Sequence, residues 1–444
     1  MSADRILSTV RTEGVRFVRF VWTDNAGLIR AKAVHTVFLD RYLAGERVGI
    51  TAASPAMPVM YDAVADGAGL SPAGEAFLQA DWDTFTVLPY APGWARVLCD
   101  VWDETGPWGH CPRSFLRRMA GHAADGGIEV MAAFENEFYL LRPDGAPLDA
   151  TVFAQSAALD GASDVLLEIA EALESQGVRP EQVYAESGGG QFELPVRYAD
   201  VIRAADHQVI FRETVHAVAR RHGLRATFLP KPWTDRAGSG AHLHLSLWRD
   251  GRNVVADPDD GSRLSAVAER FCAGILSHLP ALMAITAPSH NSFKRFQPHS
   301  WSGAYTCWGY GNREAAIRIP PSGQPGGPLS NFELKTSDAT ANPYLSLGAV
   351  IAAGLDGVRM ERRLPEPVAI DPANLAEAER ANRGIRRLPS SLGDALAALD
   401  TDRVLLDALG PALARSYLAV KKLEWNGLRD MTHEDEVKLL LERY

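Results

Sequence analysis

Apolar and polar residues alternate between positions 14 and 34, in VRFVRFVWTDNAGLIRAKAV, which predicts two strands joined by a turn at 24–27. Shorter strand patterns follow at 84–88 and 96–101, so residues 1–103 read as a small β-rich domain. The period then changes. Pro112 is a favourable first helical residue and predicts a helix over 113–124. A strand is expected at 128–141, and an amphipathic helix at 164–176 that Gly177 ends. A glycine-rich turn at 187–190 feeds a strand at 191–195, and a long helix over 199–222 stops at Gly223. Strands are expected at 226–231, 240–248, 317–319 and 331–336, with helices over 262–279 and 343–359. From about Asp371 onward the chain reads as helical. Strands and helices interleave without a regular βαβ repeat, which predicts an α+β fold with an antiparallel sheet.

Composition narrows the function classes. In 444 residues the charged fraction is 23% and the hydrophobic fraction 46%, as in an ordinary globular protein with a large core. The net charge of −10, with no basic block, argues against a nucleic-acid partner. Cys99, Cys111, Cys272 and Cys307 form no C-x-x-C pair and no zinc spacing, and read as reduced thiols in a cytoplasmic protein. The first residues, MSADRILSTVRTEG, lack the apolar stretch of a signal peptide. The most apolar stretch, 344–354, is shorter than the roughly 20 residues a bilayer requires, so no membrane partner is expected. The segment PPSGQPGGP at 320–328 reads as a shaped loop.

Four strand patterns place acids or histidines on one face, because side chains at i and i+2 point the same way. Glu135 and Glu137 share a face in FENEF, and two like charges that close repel unless a cation or solvent intervenes. Glu186 and Glu193 bracket the glycine turn ESGGGQFE, where the backbone can pass close to a ligand. In GSGAHLHLS, His242, His244 and Ser246 share one face and Ala241, Leu243 and Leu245 the other. Glu333 and Lys335 share a face in NFELK. Arg295, Arg313 and Arg318 add guanidinium forks suited to carboxylate or phosphate oxygens. Taken singly, each pattern has an ordinary surface explanation.

Their order along the chain is more specific. FENEFYL, ESGGGQFE, KPWTDRAGSGAHLHLSL, HNSFKRFQP, GNREAAIRIP and ELKTSDATANPYL together resemble the motifs of the glutamine synthetase family over nearly the whole chain. The resemblance implies an N-terminal β-grasp domain at 1–103 and a catalytic domain at 104–444. It implies ATP and Mg²⁺, with Mn²⁺ as an alternative, and glutamate and a small amine as substrates. It also implies a homo-oligomer, by resemblance a dodecamer with sites between neighbouring subunits. By the same carry-over, Glu137, Glu186 and Glu193 would hold one metal ion and Glu135, His242 and Glu333 another. His244 and Ser246 would face ATP. Arg295 and Gly238 would meet glutamate, and Arg313 and Arg318 the phosphate and γ-carboxyl.

The chain departs from the family pattern where ammonia would be held. Family members that use ammonia carry an aspartate where Thr51 stands and a glutamate where Trp301 stands. A tryptophan offers apolar area and a π face to an alkylammonium ion. Lys335 stands where the family has arginine, so two-point binding of an anion becomes single-point. The tyrosine of the family's adenylylation motif is missing from 374–377. The expected function is therefore ATP-dependent ligation of the glutamate γ-carboxyl to an organic amine through a γ-glutamyl phosphate. The alternatives are a glutamine synthetase using ammonia and a non-catalytic sensor.

Overall fold

The computed structural model describes residues 1–444. The first hairpin forms because its turn is self-capping. The Asp24 carboxylate accepts the N–H groups of Ala26 and Leu28, each at 3.0 Å, and pairs with Arg30 Nε at 2.6 Å. Strands Phe17–Thr23 and Ile29–His35 flank it. Gly27, at φ +82°, sits so close to the larger domain that a Cβ would lie 2.1 Å from the Thr340 carbonyl. Asn342 Nδ2 donates to the carbonyls of Thr23 and Asp24, and Arg212 to that of Gly27, so the hairpin tip is bonded to the larger domain.

The small sheet has five strands in the order Ile29–His35, Phe17–Thr23, Trp94–Trp102, Glu75–Val87 and Val48–Thr51. Its central pair, Phe17–Thr23 with Trp94–Trp102, is parallel, and the other pairs are antiparallel. The helix Ala3–Thr12, for which the residue pattern named no element, buries Ile6 and Val10 against this sheet.

The large sheet has ten strands. Its main path runs Trp308–Tyr310, Ile317–Ile319, Phe332–Leu334, Ala241–Arg249, Glu129–Leu141, Gln191–Pro195 and Tyr184–Ala185. It is antiparallel except for the Trp308–Tyr310 and Ile317–Ile319 pair, which is parallel. Each sheet is thus antiparallel but for one parallel pair, in keeping with the expected α+β fold. One face of the large sheet is apolar: Phe134, Phe138, Leu243, Leu245, Phe332 and Leu334 are buried in the main core with the helices Pro112–Asp125, Val201–Arg221, Ala266–Thr286 and Pro343–Arg359.

Two further expectations need correction. The strand expected at 226–231 is confined to Arg225–Thr227, because Pro230 has no N–H to give a ladder and the chain turns into a loop. The helix expected to end at 279 runs on from Ala266 to Thr286 through Pro280. Tertiary packing overrides the proline: Leu279, Leu282, Met283 and Ile285 around it are all buried in the main core. No helix is long and apolar enough to cross a membrane.

Candidate active site

Strand register brings the acids and histidines together on the face opposite the helices. His242 stands directly across from Glu135, Glu193 across from Glu137, and Glu333 across from both His244 and Arg318. His242 Nδ1 lies 3.3 Å from Glu135 Oε2 and 3.2 Å from Glu333 Oε1, and its Nε2 lies 3.9 Å from Glu137 Oε1. His244 Nε2 donates to Glu135 Oε2 at 2.9 Å. Ligand atoms of Glu135, His244 and Glu333 all fall within 4.8 Å of one another. Either imidazole can therefore join Glu135 and Glu333 around a cation. Glu137 accepts the Gly240 N–H at 3.0 Å, which ties the glycine loop to the strand.

The electrostatics show a surplus of negative charge. Burial, a hydrogen bond shared with Glu135 and the charges of Glu135 and Glu137 push the Glu193 carboxyl up to about 11. Burial and the charge of Glu137 push Glu186 up to about 7. Burial would also raise Glu135, but hydrogen bonds from His242 and His244 hold it well below the usual range. Burial works against Glu333 likewise, and Lys335 and His242 outweigh it. Burial disfavours a charged His244, yet its bond to Glu135 and the charge of Glu333 lift it to about 9. Meanwhile the Nε2 of His242 is buried with no hydrogen-bond partner. An orphaned imidazole nitrogen among carboxylates that resist joint ionisation fits a divalent-cation site, with oxygen donors for Mg²⁺ and one imidazole that Mn²⁺ also accepts.

A cavity of about 800 Å³ opens on this face. Glu135, Glu137, Glu186, Glu193, His242 and Glu333 all line it. So do Gly238, Arg295, Trp301, Arg313, Arg318 and Lys335. Arg318 and Lys335 both pair with Glu333, at 2.9 and 3.1 Å. Arg295 donates to the carbonyls of Lys335 and Ser337 and lies over the Phe296 ring, with its Nε unpaired. His244 and Ser246 line a neighbouring cavity of about 350 Å³, which shares Glu135 and Gln182 with the first.

Family models match both parts of the chain: glutamine synthetase N-terminal domain over residues 1–108 and glutamine synthetase catalytic domain over 109–440. The chain belongs to the glutamine synthetase family. It is 43% identical over 425 residues to the gamma-glutamylpolyamine synthetase GlnA3 of Streptomyces coelicolor, covering 92% of this chain and 89% of that protein. Among solved structures, a novel glutamine synthase homolog superposes with a TM-score of 0.86 at 35% identity, covering 97% of this chain and 99% of that one. An ADP complex of GmaS superposes with a TM-score of 0.85 at 31% identity, covering 98% and 99%.

Against this family background, two placements stand out. Thr51 lines neither cavity. It ends an edge strand of the small sheet, exposed, with its hydroxyl accepting the Ala53 N–H. Asp62, an acid near Thr51 in sequence, lines neither cavity either and is exposed beside Arg30. Trp301, by contrast, is in the cavity and half exposed, at φ +55°, its N–H held by Glu314 at 2.9 Å. It is met edge-on by Phe153, ring centroids 6.3 Å apart at 90°. Phe153 also meets Tyr184, at 6.1 Å and 82°, and the Tyr184 hydroxyl donates to Glu193. Sequence reasoning missed both rings. Tyr184 carried a usable signal, standing two residues before Glu186. Phe153 carried none, because it enters from a loop.

Proposed function

We infer that this chain is an ATP-dependent ligase that joins the γ-carboxyl of glutamate to an organic amine rather than to ammonia. The observation that carries the amine class is the corner formed by Trp301 and Phe153, half-exposed rings in a cavity lined mainly by charged and polar residues. Where ammonia-using members place an acid, this chain presents apolar area and a π face. Such a surface gains about 0.5–2 kcal/mol with an alkylammonium and offers bare ammonium no counter-charge.

The roles of the site residues follow from their donors. Glu137, Glu186 and Glu193 hold one Mg²⁺ or Mn²⁺ ion, and Glu135, Glu333 and His242 hold another, with His244 in reach of the same carboxylates. Bound metal supplies charge neutralisation to the triphosphate and to the phosphoryl group in transfer. His244 and Ser246 face the nucleotide from the adjoining cavity. Arg295 and the backbone at Gly238 receive the amino-acid end of glutamate, and Arg313 and Arg318 receive the phosphoryl oxygens. Lys335 contributes one ammonium point where a fork would give two. The γ-carboxylate attacks the γ-phosphorus of ATP, giving γ-glutamyl phosphate and ADP. The amine, its ammonium proton released to water, attacks the acyl carbon; the C–N bond forms as the C–O bond to phosphate breaks, and a second proton leaves with the phosphate.

Thr51, far from the cavity within one chain, belongs to a site only if a neighbouring copy supplies it. The homo-oligomer with sites between subunits rests on the family resemblance. The test is phosphate release from ATP with Mg²⁺ and glutamate against ammonium, methylamine, ethanolamine, isopropylamine, aniline, putrescine and spermine, with mass detection of the γ-glutamyl product. Turnover with an organic amine well above ammonium is the expected result. Turnover with ammonium alone overturns the reading in favour of glutamine synthesis. ATP binding without turnover across the panel overturns it in favour of a sensor.

A further inference from the structure

Glu436 lies on the C-terminal helix His433–Leu440, outside the cavity, and is fully buried. Its carboxylate accepts from three donors. Oε1 accepts from His290 Nδ1 at 2.6 Å, and Oε2 accepts from Asn291 Nδ2 at 3.2 Å and from Lys294 Nζ. These three donors stand on the short turn that leads directly into Arg295. Asn291 also reaches the other way: its Oδ1 accepts the Lys231 N–H at 2.6 Å, and its Nδ2 donates to the Lys231 carbonyl at 3.1 Å. From the same helix, His433 Nε2 donates to the Pro232 carbonyl at 3.1 Å, which leaves its Nδ1 to accept from Lys294 at 3.2 Å. One helix therefore holds two segments, the 290–295 turn and the 231–238 loop. Those segments meet at the cavity, where a Cβ on Gly238 would lie 2.7 Å from Arg295 Cγ.

We propose that Glu436 is a positioning residue for the amino-acid substrate: its carboxylate fixes the 290–295 turn and the 231–238 loop in the register that presents Arg295 and Gly238 to glutamate. This rests on the reading of Arg295 and Gly238 as glutamate contacts. The charge matters as well as the shape. With three donors converging, an amide at 436 turns an NH₂ group onto one of them and leaves Lys294 half-buried without its counter-ion.

The experiment measures KM for glutamate and for ATP separately in the full-length enzyme, by amine-dependent phosphate release. Glu436→Gln is expected to raise the glutamate KM by about tenfold, with the ATP KM within about twofold of wild type. Glu436→Asp, which keeps the charge, recovers part of the loss. Glu434→Gln, exposed on the same helix, behaves as wild type. If Glu436→Gln does not fold, Lys294→Gln removes one donor of the same set and carries the same expected split. Unchanged glutamate KM, equal changes in both KM values, or no advantage of Asp over Gln overturns the proposal. Arg295→Lys separates the two readings. If it raises the glutamate KM and Glu436→Gln does not, the positioning role fails. If Glu436→Gln raises it and Arg295→Lys does not, the reading of Arg295 as a glutamate contact fails, and the positioning role that rests on it is overturned with it.

Discussion

Trp301→Ala is the substitution that most directly tests the acceptor reading. The side chain is 53% exposed, so its loss opens no buried cavity, and the backbone at φ +55° is as unusual for alanine as for tryptophan. The Glu314 bond to the backbone N–H at 2.9 Å survives the change. What disappears is the ring face and its edge contact with Phe153. A cation over an aromatic face is worth about 0.5–2 kcal/mol, and 1.36 kcal/mol is tenfold, so kcat/KM for an organic amine falls by about 2- to 30-fold. The ATP KM stays constant, because His244 and Ser246 lie in the adjoining cavity, which Trp301 does not line, and the ring makes no contact with Arg318 or Lys335 that the change removes. Phe153→Ala belongs in the same assay. An edge-to-face pair is worth about 0.5–1.5 kcal/mol, so the double variant loses less than the product of the two single losses. Trp301→Glu restores a negative charge and raises the ratio of ammonium to organic-amine turnover. Equal losses for ammonium and the organic amine in Trp301→Ala, with no change of ratio in Trp301→Glu, would refute the reasoning.

Glu137→Ala abolishes phosphate release while the chain still melts cooperatively by circular dichroism, since Glu137 lies on the polar face of its strand; wild-type turnover would count against the metal assignment. Adding Mg²⁺ or Mn²⁺ raises the melting temperature, because the ion relieves repulsion among Glu135, Glu137, Glu186 and Glu193; the added stability is about 2.7 kcal/mol at a hundred times Kd. Calorimetry with and without chelator reads this, and Glu193→Gln shrinks the shift. Stability at Glu436 depends on acid in a defined direction. Burial would raise its carboxyl above 4.5, but His290 and Lys294 outweigh burial and hold it below. Its stabilisation is therefore present above about 4.5 and is lost as pH falls through the lower folded value. Breaking a buried pair costs about 3–5 kcal/mol. The melting difference between wild type and Glu436→Gln is thus largest near neutral pH and narrows in acid.

Much of this site was legible because strands expose their parity. FENEF and AHLHLS each announce a polar face and an apolar face, and the structure keeps both. Register was not legible. Nothing local in either string says that His242 stands across from Glu135 or that His244 stands across from Glu333, because partners are chosen by long-range packing. The same limit explains the helix through Pro280. An interior proline costs about 3 kcal/mol in isolation, and only the burial of Leu279, Leu282, Met283 and Ile285 in the assembled core reveals what offsets it. Phe153 and Glu436 were invisible for a related reason. One sits in a loop and the other on a helix with no motif, and each acquires its role from what it meets across the fold.

The large sheet divides its duties by parity. Phe134 and Phe138 alternate with Glu135 and Glu137, and Leu243 and Leu245 with His242 and His244. The apolar set is buried under four helices, and dispersion and burial there stabilise the strands regardless of what lies opposite. The polar set is left in mutual repulsion that burial makes worse, as Glu193 and Glu186 show. A sheet so firmly held on one side tolerates an electrostatically unfavourable arrangement on the other, which is the arrangement a divalent cation and a triphosphate require. A slip of one residue in the Ala241–Arg249 strand would exchange the two sets, putting His242 and His244 under the helices and Leu243 and Leu245 in the cavity. Core packing and catalysis therefore select the same register, although no residue on that strand serves both.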